Sequence, residues 1–352
     1  RHGYFKQIID AGLQLAVKPD RKALPLPTKL IQDENGNPLK VSVPFKDQTM
    51  WLQAWQLKVG HATLYLLDSD LPENNDEMRG LCHSLYGGGT NTRIGQEITL
   101  GIGGARLLAA LGIKPDVYHM NEGHAAFLTL QLWSDAMASG LDAHGAWGAV
   151  AKQCVFTTHT PVPAGHDRFY WDTVNAYMYQ FRDQLGLPKG AFMNLGREDI
   201  HDLSSPLSMT VLALKGSRAA NGVSALHGKV SRKMFPVLGS HIGHITNGVH
   251  PTAWIGPELA DVLKKHMPNW NESWTNPEMW NAIDSIGDDT LWKLRKRMRK
   301  RIVNAARQRL GPDVLDNDML TIGFARRFAT YKRGDLIFSD PERLLAILDQ
   351  LL

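Results

Sequence analysis

The densest group of cations in the chain follows a short apolar run near residue 320. Arg326, Arg327, Lys332 and Arg333 come directly after Leu320 to Phe324, which we predict as a strand. Open α/β sheets bind ligands at the carboxyl ends of their strands. An arginine can hold two oxygens of a phosphate, and a lysine acts as a point charge. The pattern favours a phosphate site, and a solvated basic loop is the alternative.

Polar residues also follow two predicted strands in the first half of the chain. The segment Asn121 to His124 comes after Val117 to Met120, and His159-Thr160 comes after Cys154 to Thr158. Such positions gather polar groups for a hydroxyl-rich ligand. Helix capping by Asn121 is the alternative. Histidines are numerous, but none falls in an HExxH pattern or shares a helix face with a carboxylate at ligand spacing, so we predict no metal site.

Two further segments have a structural interpretation. The basic run Lys293 to Arg301 lies on a predicted helix whose apolar positions keep the spacing of one buried face, so its charges form a solvated face. The GIGGAR segment, Gly101 to Arg106, has arginine in place of the third glycine of a dinucleotide fingerprint and no strand before it. We therefore reject a nucleotide-binding role for it.

Composition narrows the class of protein. With 352 residues and 43% hydrophobic content, the chain is long enough for about two packed cores. A net charge of +4, from 39 basic and 35 acidic residues, argues against a polycation that binds nucleic acid or membranes. Cys82 and Cys154 have no CxxC spacing, which favours a reducing compartment, and we expect the cytoplasm. No segment is apolar and long enough to predict a membrane span.

The predicted elements form two units. A hairpin turn at Asp33 to Pro38 and strands up to residue 67 precede a long helix from Thr92 to Leu111. From Asp116 onward, strands and helices alternate, which predicts a parallel sheet, and one long helix is predicted over Leu207 to Asn221. A second unit is predicted to begin near Asn247-Gly248, with a helix from Thr290 to Leu310.

Seven strings together carry a family resemblance. They are RHGYFKQ at 1–7, DLPEN at 70–74, DVYHMNEGHAAF at 116–127, FTTHTPVPAGHDRF at 156–169, NGVSALHGKVSRKMF at 221–235, ITNGVHPTAW at 245–254 and GFARRFATYKR at 323–333. In order and spacing they resemble the short, bacterial-type α-glucan phosphorylases. This resemblance covers essentially the whole chain.

The resemblance implies an α/β fold of two Rossmann-like domains facing a cleft, the GT-B type of glycosyltransferase architecture, with the second domain incomplete. Residues 1–247 would be part of an N-terminal glucan and catalytic domain whose start is missing, and 248–352 the beginning of a truncated cofactor-binding domain. The implied reaction is phosphorolysis of glycogen, starch or maltodextrin by inorganic phosphate, which yields glucose 1-phosphate. A homo-oligomer is compatible with this family.

The resemblance also assigns roles to residues on the sugar side. His227 is similar to the histidine that hydrogen-bonds the sugar at the cleavage subsite, and Asn247 to the asparagine beside the same glucose. Tyr331 matches a tyrosine that touches the sugar. His159 resembles a histidine that lines the glucan side of the cleft.

On the phosphate side, Arg327 and Lys332 correspond to the two residues that bind the substrate phosphate. Arg326 corresponds to the basic residue that faces the phosphate of the cofactor, pyridoxal 5′-phosphate, and Trp254 to a tryptophan that packs near it. These assignments agree with the phosphate site predicted from the cations alone.

Two departures from the family pattern qualify the resemblance. The segment Gly87 to Asn91 lacks the aspartate that relatives carry in a loop over the active site. By resemblance, the lysine that attaches pyridoxal phosphate lies beyond Leu352, and both ends of the chain look like cuts. We expect this segment alone to be inactive.

Two other functions remain open at this point. A nucleotide-sugar glycosyltransferase, such as a glycogen synthase, has the same architecture, since a fold does not choose a reaction. A non-catalytic glucan-binding remnant is the second alternative, and the missing attachment lysine motivates it.

Overall fold

The computed structural model describes residues 6–17, 27–84, 88–326 and 330–349. The chain divides into two compact units, residues 1–247 and 248–352. Each unit has an apolar core of its own. The roles of these units as glucan and cofactor domains stay predictions.

The first unit contains both antiparallel and parallel strands. In chain order the strands are β1 Lys6–Asp10, β2 Leu13–Val17, β3 Lys29–Leu30, β4 Lys40–Phe45, β5 Gln48–Val59, β6 Ala62–Asp68, β7 Tyr118–Asn121, β8 Cys154–Thr158, β9 Arg168–Phe169, β10 Leu207–Ser208, β11 Ala219–Gly222 and β12 Ile242–His244.

Helices cover the first unit and make up the regular structure described in the second. Those of the first unit are α1 Asp76–Gly80, α2 Thr90–Ile98, α3 Gly104–Ala110, α4 Leu128–Ala138, α5 Ala143–Gln153, α6 Trp171–Gln184, α7 Lys189–Asn194, α8 Met209–Lys215 and α9 Ala225–Met234. Those of the second are α10 Pro251–Trp254, α11 Pro257–His266, α12 Pro277–Trp280, α13 Asp288–Leu310 and α14 Pro341–Asp349. No helix among the described residues combines the length and apolarity that a bilayer crossing requires.

A parallel sheet lies at the centre of the first unit. Its strands run in the order β12-β11-β8-β7, and neighbours pair in parallel. One row of paired residues crosses the sheet through Met120, Phe156, Ala220 and Ile242, and all four side chains are buried. The predicted α/β class with a parallel sheet is therefore confirmed. Because the strands are parallel and in register, their carboxyl ends meet at one edge.

One prediction and one alternative interpretation for this sheet are wrong. The helix predicted over Leu207 to Asn221 is instead the helix α8 followed by strand β11. The chain leaves the helix at Gly216, and the Arg218 N–H donates to the Cys154 carbonyl, 3.0 Å away, which starts the pairing with β8. Asn121 does not cap a helix because it is the last residue of β7 and pairs with Thr157.

The strands predicted before residue 70 are confirmed as an antiparallel meander, β4-β5-β6. The turn before it is held by Asp33, whose side chain accepts hydrogen bonds of 2.9 Å from the backbone N–H groups of Asn35 and Asn37. Gly36 supplies the positive φ, 80°, that this turn needs. Met50, Leu52 and alternate residues of β4 point into the core of the unit.

The second unit is built on α13, which packs on α11 through Leu294 and Val262. The basic side of α13 is exposed at Lys293, Arg295 and Arg297, as predicted. The strand predicted over Leu320 to Phe324 is wrong, since these residues are irregular. A strand needs a neighbour for its backbone hydrogen bonds, and the described residues of 248–352 contain no strand.

The GIGGAR segment has a packing role. The helix predicted over Thr92 to Leu111 is confirmed as α2 and α3 joined by a π-helical stretch, Thr99–Gly103. A Cβ added at Gly101 would lie 2.8 Å from the Leu128 backbone nitrogen and 3.0 Å from the Phe127 carbonyl carbon. Glycine is therefore required for the close approach of this helix to the segment that begins α4.

Gly101→Ala should destabilise the first unit by about 1–3 kcal/mol because the backbone around Phe127 cannot move aside freely. Gly104→Ala is the matched control, since nothing lies within 4 Å of its added Cβ and alanine favours a helix by about 1 kcal/mol. Urea denaturation followed by tryptophan fluorescence measures both variants. Equal midpoints for the two would contradict this packing.

Candidate functional site

The residues that follow the four strands lie at the carboxyl edge of the parallel sheet. Glu122 comes after β7, His159 after β8, Val223 after β11, and the segment that leads to Asn247 after β12. The register of the sheet brings these positions to one edge. The edge therefore forms the candidate site of the first unit.

His227 is the most enclosed of the predicted site residues. It lies in the first turn of α9, where Ser224 caps the helix by accepting the His227 N–H at 3.1 Å. Its ring is buried, and Nδ1 accepts a 3.2 Å hydrogen bond from the Val223 N–H. Since Nδ1 is the acceptor, Nε2 must carry the ring hydrogen. Nε2 is buried and has no hydrogen-bond partner among the described residues.

Gly222 makes room for this ring. A Cβ at Gly222 would lie 2.8 Å from Nδ1 of His227 and 2.9 Å from the Gly228 nitrogen. A glycine at the end of β11 therefore lets α9 approach the strand closely, and the imidazole fills the space beside it.

Asn247 lies next to the same loop. Its backbone N–H donates to the Val223 carbonyl at 3.1 Å, while the Val223 N–H holds His227. The side chain of Asn247 is exposed. The backbone of Val223 thus holds two of the residues that the resemblance assigns to the sugar side.

His159 is the third predicted residue at this edge. Its side chain is exposed, and its backbone N–H donates to Oε1 of Glu122. The hydroxyl of Thr160 donates to the same oxygen over 3.1 Å. The sequence pattern pointed to Glu122 as a polar residue after a strand but gave it no role, and only the folded chain shows its partners.

A line of polar side chains also crosses the sheet near this edge. Nε2 of His119 lies 2.7 Å from the Thr157 hydroxyl, which in turn donates to Oδ1 of Asn221 over 3.0 Å. No sequence pattern indicated a role for Thr157, and Asn221 was predicted to lie in a helix. These hydrogen bonds satisfy polar groups inside a largely apolar sheet.

The other predicted residues belong to the second unit. Trp254 ends α10 with 80% of its surface exposed. Arg326 is exposed, and Tyr331 and Lys332 lie in a short 3-10 helix, with the Lys332 ammonium 4.8 Å from the tyrosine ring centroid. Arg327 lies outside the described residues. The structure therefore groups the sugar-side residues His227, Asn247 and His159, and describes the others within their own unit.

Three residues beside the edge have the distances of a metal site. The ligand atoms of Glu97, His124 and Asp167 lie within 4.8 Å of one another. However, the Arg93 guanidinium lies 2.9 Å from Nδ1 of His124, 2.5 Å from Asp167 and 3.2 Å from Glu97. A fixed positive charge at this point repels a cation, so the four residues form an ion-pair network. This network joins α2 to the loops that follow β7 and β8.

The network shifts the protonation of its members. Burial raises the pKa of Glu97 to about 8. Hydrogen bonds to Asp167 and Glu97 raise the pKa of His124 to about 9. Burial alone would raise the pKa of Asp167, but hydrogen bonds from His124 and Arg93 outweigh it and hold that pKa well below its usual range.

The unfolding free energy should fall as the pH rises from about 6.5 to 9. The folded pKa of His124 is about 9 and the unfolded value about 6.5. The stabilisation by protonated His124 is thus fully present when the pH is below the unfolded pKa. It is lost as the pH rises through the folded pKa. Glu97, whose pKa is also raised, acts in the same direction. Urea denaturation at a series of pH values measures this pH dependence. The unfolding free energy of His124→Gln should fall less steeply with pH than that of the wild type. Equal slopes for the two proteins would contradict the network.

Curated proteins provide a comparison along nearly the whole chain. The chain is 40% identical to a maltodextrin phosphorylase of Thermococcus litoralis, 37% identical to a glycogen phosphorylase of Mycobacterium tuberculosis and 32% identical to a glycogen phosphorylase of Aquifex aeolicus. Each match covers 99% of this chain. No protein-family profile matches the chain.

The matched share of the relatives is smaller. It is 44% of the first two proteins and 53% of the third, so the chain spans about half the length of these relatives. Identity of this extent over hundreds of residues is shared by descent, and the strings around His227 and Asn247 fall within it. The chain belongs to the α-glucan phosphorylase family.

Proposed function

We propose that the whole protein is an α-glucan phosphorylase, which cleaves α-1,4-glucans such as glycogen, starch or maltodextrin with inorganic phosphate and releases glucose 1-phosphate. The observation that carries the proposal is the buried Nε2–H of His227 at the carboxyl edge of the sheet, a donor for which the described residues offer no partner. A buried unpaired donor is destabilising unless a ligand satisfies it. A sugar hydroxyl supplies the missing acceptor.

On the sugar side, three residues contact the glucan in this proposal. The Nε2–H of His227 donates to a hydroxyl oxygen of the glucose at the cleavage subsite. The exposed amide of Asn247, which can both donate and accept, binds a neighbouring hydroxyl. His159 lines the path of the glucan. Fixed groups of this kind orient the glycosidic bond for attack.

On the phosphate side, the proposal rests on the resemblance. Arg327 and Lys332 hold the substrate phosphate, Tyr331 contacts the sugar, and Arg326 with Trp254 serves the cofactor, pyridoxal phosphate. Arg326 and Lys332 are cations that fit phosphate groups. When bound, the cofactor phosphate supports proton transfer to the glycosidic oxygen. A GT-B arrangement of two Rossmann-like domains is part of this proposal.

The proposed compartment is the cytoplasm. Both cysteines, Cys82 and Cys154, carry free thiols in the structure. Burial raises the pKa of the Cys154 thiol to about 12, which makes it unreactive. A reducing compartment agrees with this state of the thiols.

A donor assay on the whole protein tests the function. With maltodextrin and phosphate, we expect glucose 1-phosphate to form only when both are present. A nucleotide sugar such as UDP-glucose or ADP-glucose should not extend a glucan primer. Primer extension without phosphate would instead support the glycosyltransferase alternative.

His227→Asn should lower kcat/KM for maltodextrin by about 5- to 150-fold, which corresponds to roughly 1–3 kcal/mol for a lost hydrogen bond that leaves its partner unpaired. Asparagine can place an oxygen near the position of Nδ1 and accept from Val223, but it does not reach the position of Nε2. The unfolding midpoint should therefore change little. An unaltered kcat/KM would show that His227 does not bind the sugar.

A further inference from the structure

Glu122 has a backbone conformation that residues with a side chain rarely adopt. Its φ is 68° and its ψ 170°, in a region that is essentially restricted to glycine. A glycine follows directly, at a tightly packed position, since a Cβ added at Gly123 would lie 3.1 Å from the Met209 Cβ. The chain thus keeps a glutamate at the strained position itself. Strain of this kind persists where the surrounding structure uses the side chain.

The side chain of Glu122 is buried and accepts several hydrogen bonds. It is 9% exposed, and Oε1 accepts from the His159 N–H and from the hydroxyls of Thr160 and Thr158, 3.1 and 3.4 Å away. The Glu122 N–H donates to the Thr157 carbonyl over 2.8 Å. One residue therefore ties the end of β7 to the turn that carries His159.

A second side chain holds the same turn from the other side. Nε2 of His166 lies 3.2 Å from the Thr160 carbonyl, and its Nδ1 lies 2.8 Å from the Thr210 hydroxyl. The turn at Thr158 to Thr160 is thus fixed by Glu122 at its N–H and hydroxyl groups and by His166 at a carbonyl. His159 is the residue of this turn whose side chain is exposed toward solvent.

We propose that Glu122 is a positioning residue for glucan binding, whose carboxylate fixes the His159 peptide and so aims the exposed His159 ring at the glucan. This inference rests on the proposed function, because that function assigns the glucan to His159. Hydrogen bonds to a carboxylate are about twice as strong as neutral ones. The loss of the carboxylate therefore frees the His159 turn while the sheet beneath it remains.

The test compares two variants of the whole protein with a matched control. Glu122→Gln keeps the shape and removes the charge, and Glu122→Gly removes the side chain and also relieves the backbone strain. Glu77→Gln is the control, a carboxylate of the same unit whose partners are Lys46 and Tyr177. KM for maltodextrin, KM for phosphate, kcat and the unfolding midpoint are measured for each. Affinity electrophoresis in gels that contain glycogen measures glucan binding without turnover.

In Glu122→Gly, we expect KM for maltodextrin and the glycogen dissociation constant to rise about tenfold, with KM for phosphate unchanged. Glu122→Gln should show a smaller rise in the same two constants, because its amide oxygen still accepts weaker, neutral hydrogen bonds. Glu122→Gly should keep its unfolding midpoint, because relief of strain offsets the lost hydrogen bonds. The control should keep both KM values. A merely structural role would lower kcat through loss of folded protein and leave both KM values unchanged, and that result would overturn the inference.

Failure of the proposed function has a separate signature. If the wild-type protein releases no glucose 1-phosphate, the function is wrong whatever the variants do. Glucan affinity then decides the inference, since weaker binding in Glu122→Gly supports it. Equal binding, or no glycogen binding by the wild type, overturns it.

Discussion

The parallel register of β7, β8, β11 and β12 is the constraint on which the candidate site depends. A single row of buried residues, from Met120 to Ile242, aligns the four strands, so the residues that follow them meet at one edge. A slip of one residue would turn each side chain to the opposite face of the sheet. The site is therefore a consequence of core packing.

At that edge the backbone of Val223 positions two residues of the candidate site. Its N–H determines which nitrogen of His227 is the acceptor, and its carbonyl holds Asn247. Glu122 holds the neighbouring turn, which carries His159 and Thr160, through hydrogen bonds to its carboxylate. Beside these groups, the ion pairs around Arg93 attach α2 to the loops after β7 and β8. Preorganisation of this kind agrees with the proposed binding of a flexible, neutral glucan, since each fixed group lowers the entropy lost on binding.

The sequence predicted the parts of this arrangement that depend on local pattern. Alternating strands and helices predicted the parallel sheet, and polar residues after Cys154 to Thr158 indicated the edge at which we place the candidate site. The strand β11 was missed because Ala-Ala-Asn-Gly has too few apolar residues to signal burial, and only its place between β8 and β12 makes it a strand. For Leu320 to Phe324 the error is the opposite one, because a strand was predicted where the structure has none. An apolar run forms a strand only when a neighbouring strand can pair with it. The Thr158 contact of Glu122 and the His124 and Asp167 contacts of Arg93 join residues 31 to 74 positions apart, beyond the reach of local patterns.

The ring hydrogen of His227 provides the most direct test of the account. Two-bond ¹H–¹⁵N correlation spectra of histidine-labelled protein, with His227 assigned by its absence in His227→Asn, report the tautomer of this imidazole. We predict the Nε2–H tautomer, with Nδ1 as an acceptor, and a change in the Nε2 shift when a maltooligosaccharide is added. The opposite tautomer, or an Nε2 shift that is unchanged at saturating sugar, would contradict the claim that this buried donor binds the glucan.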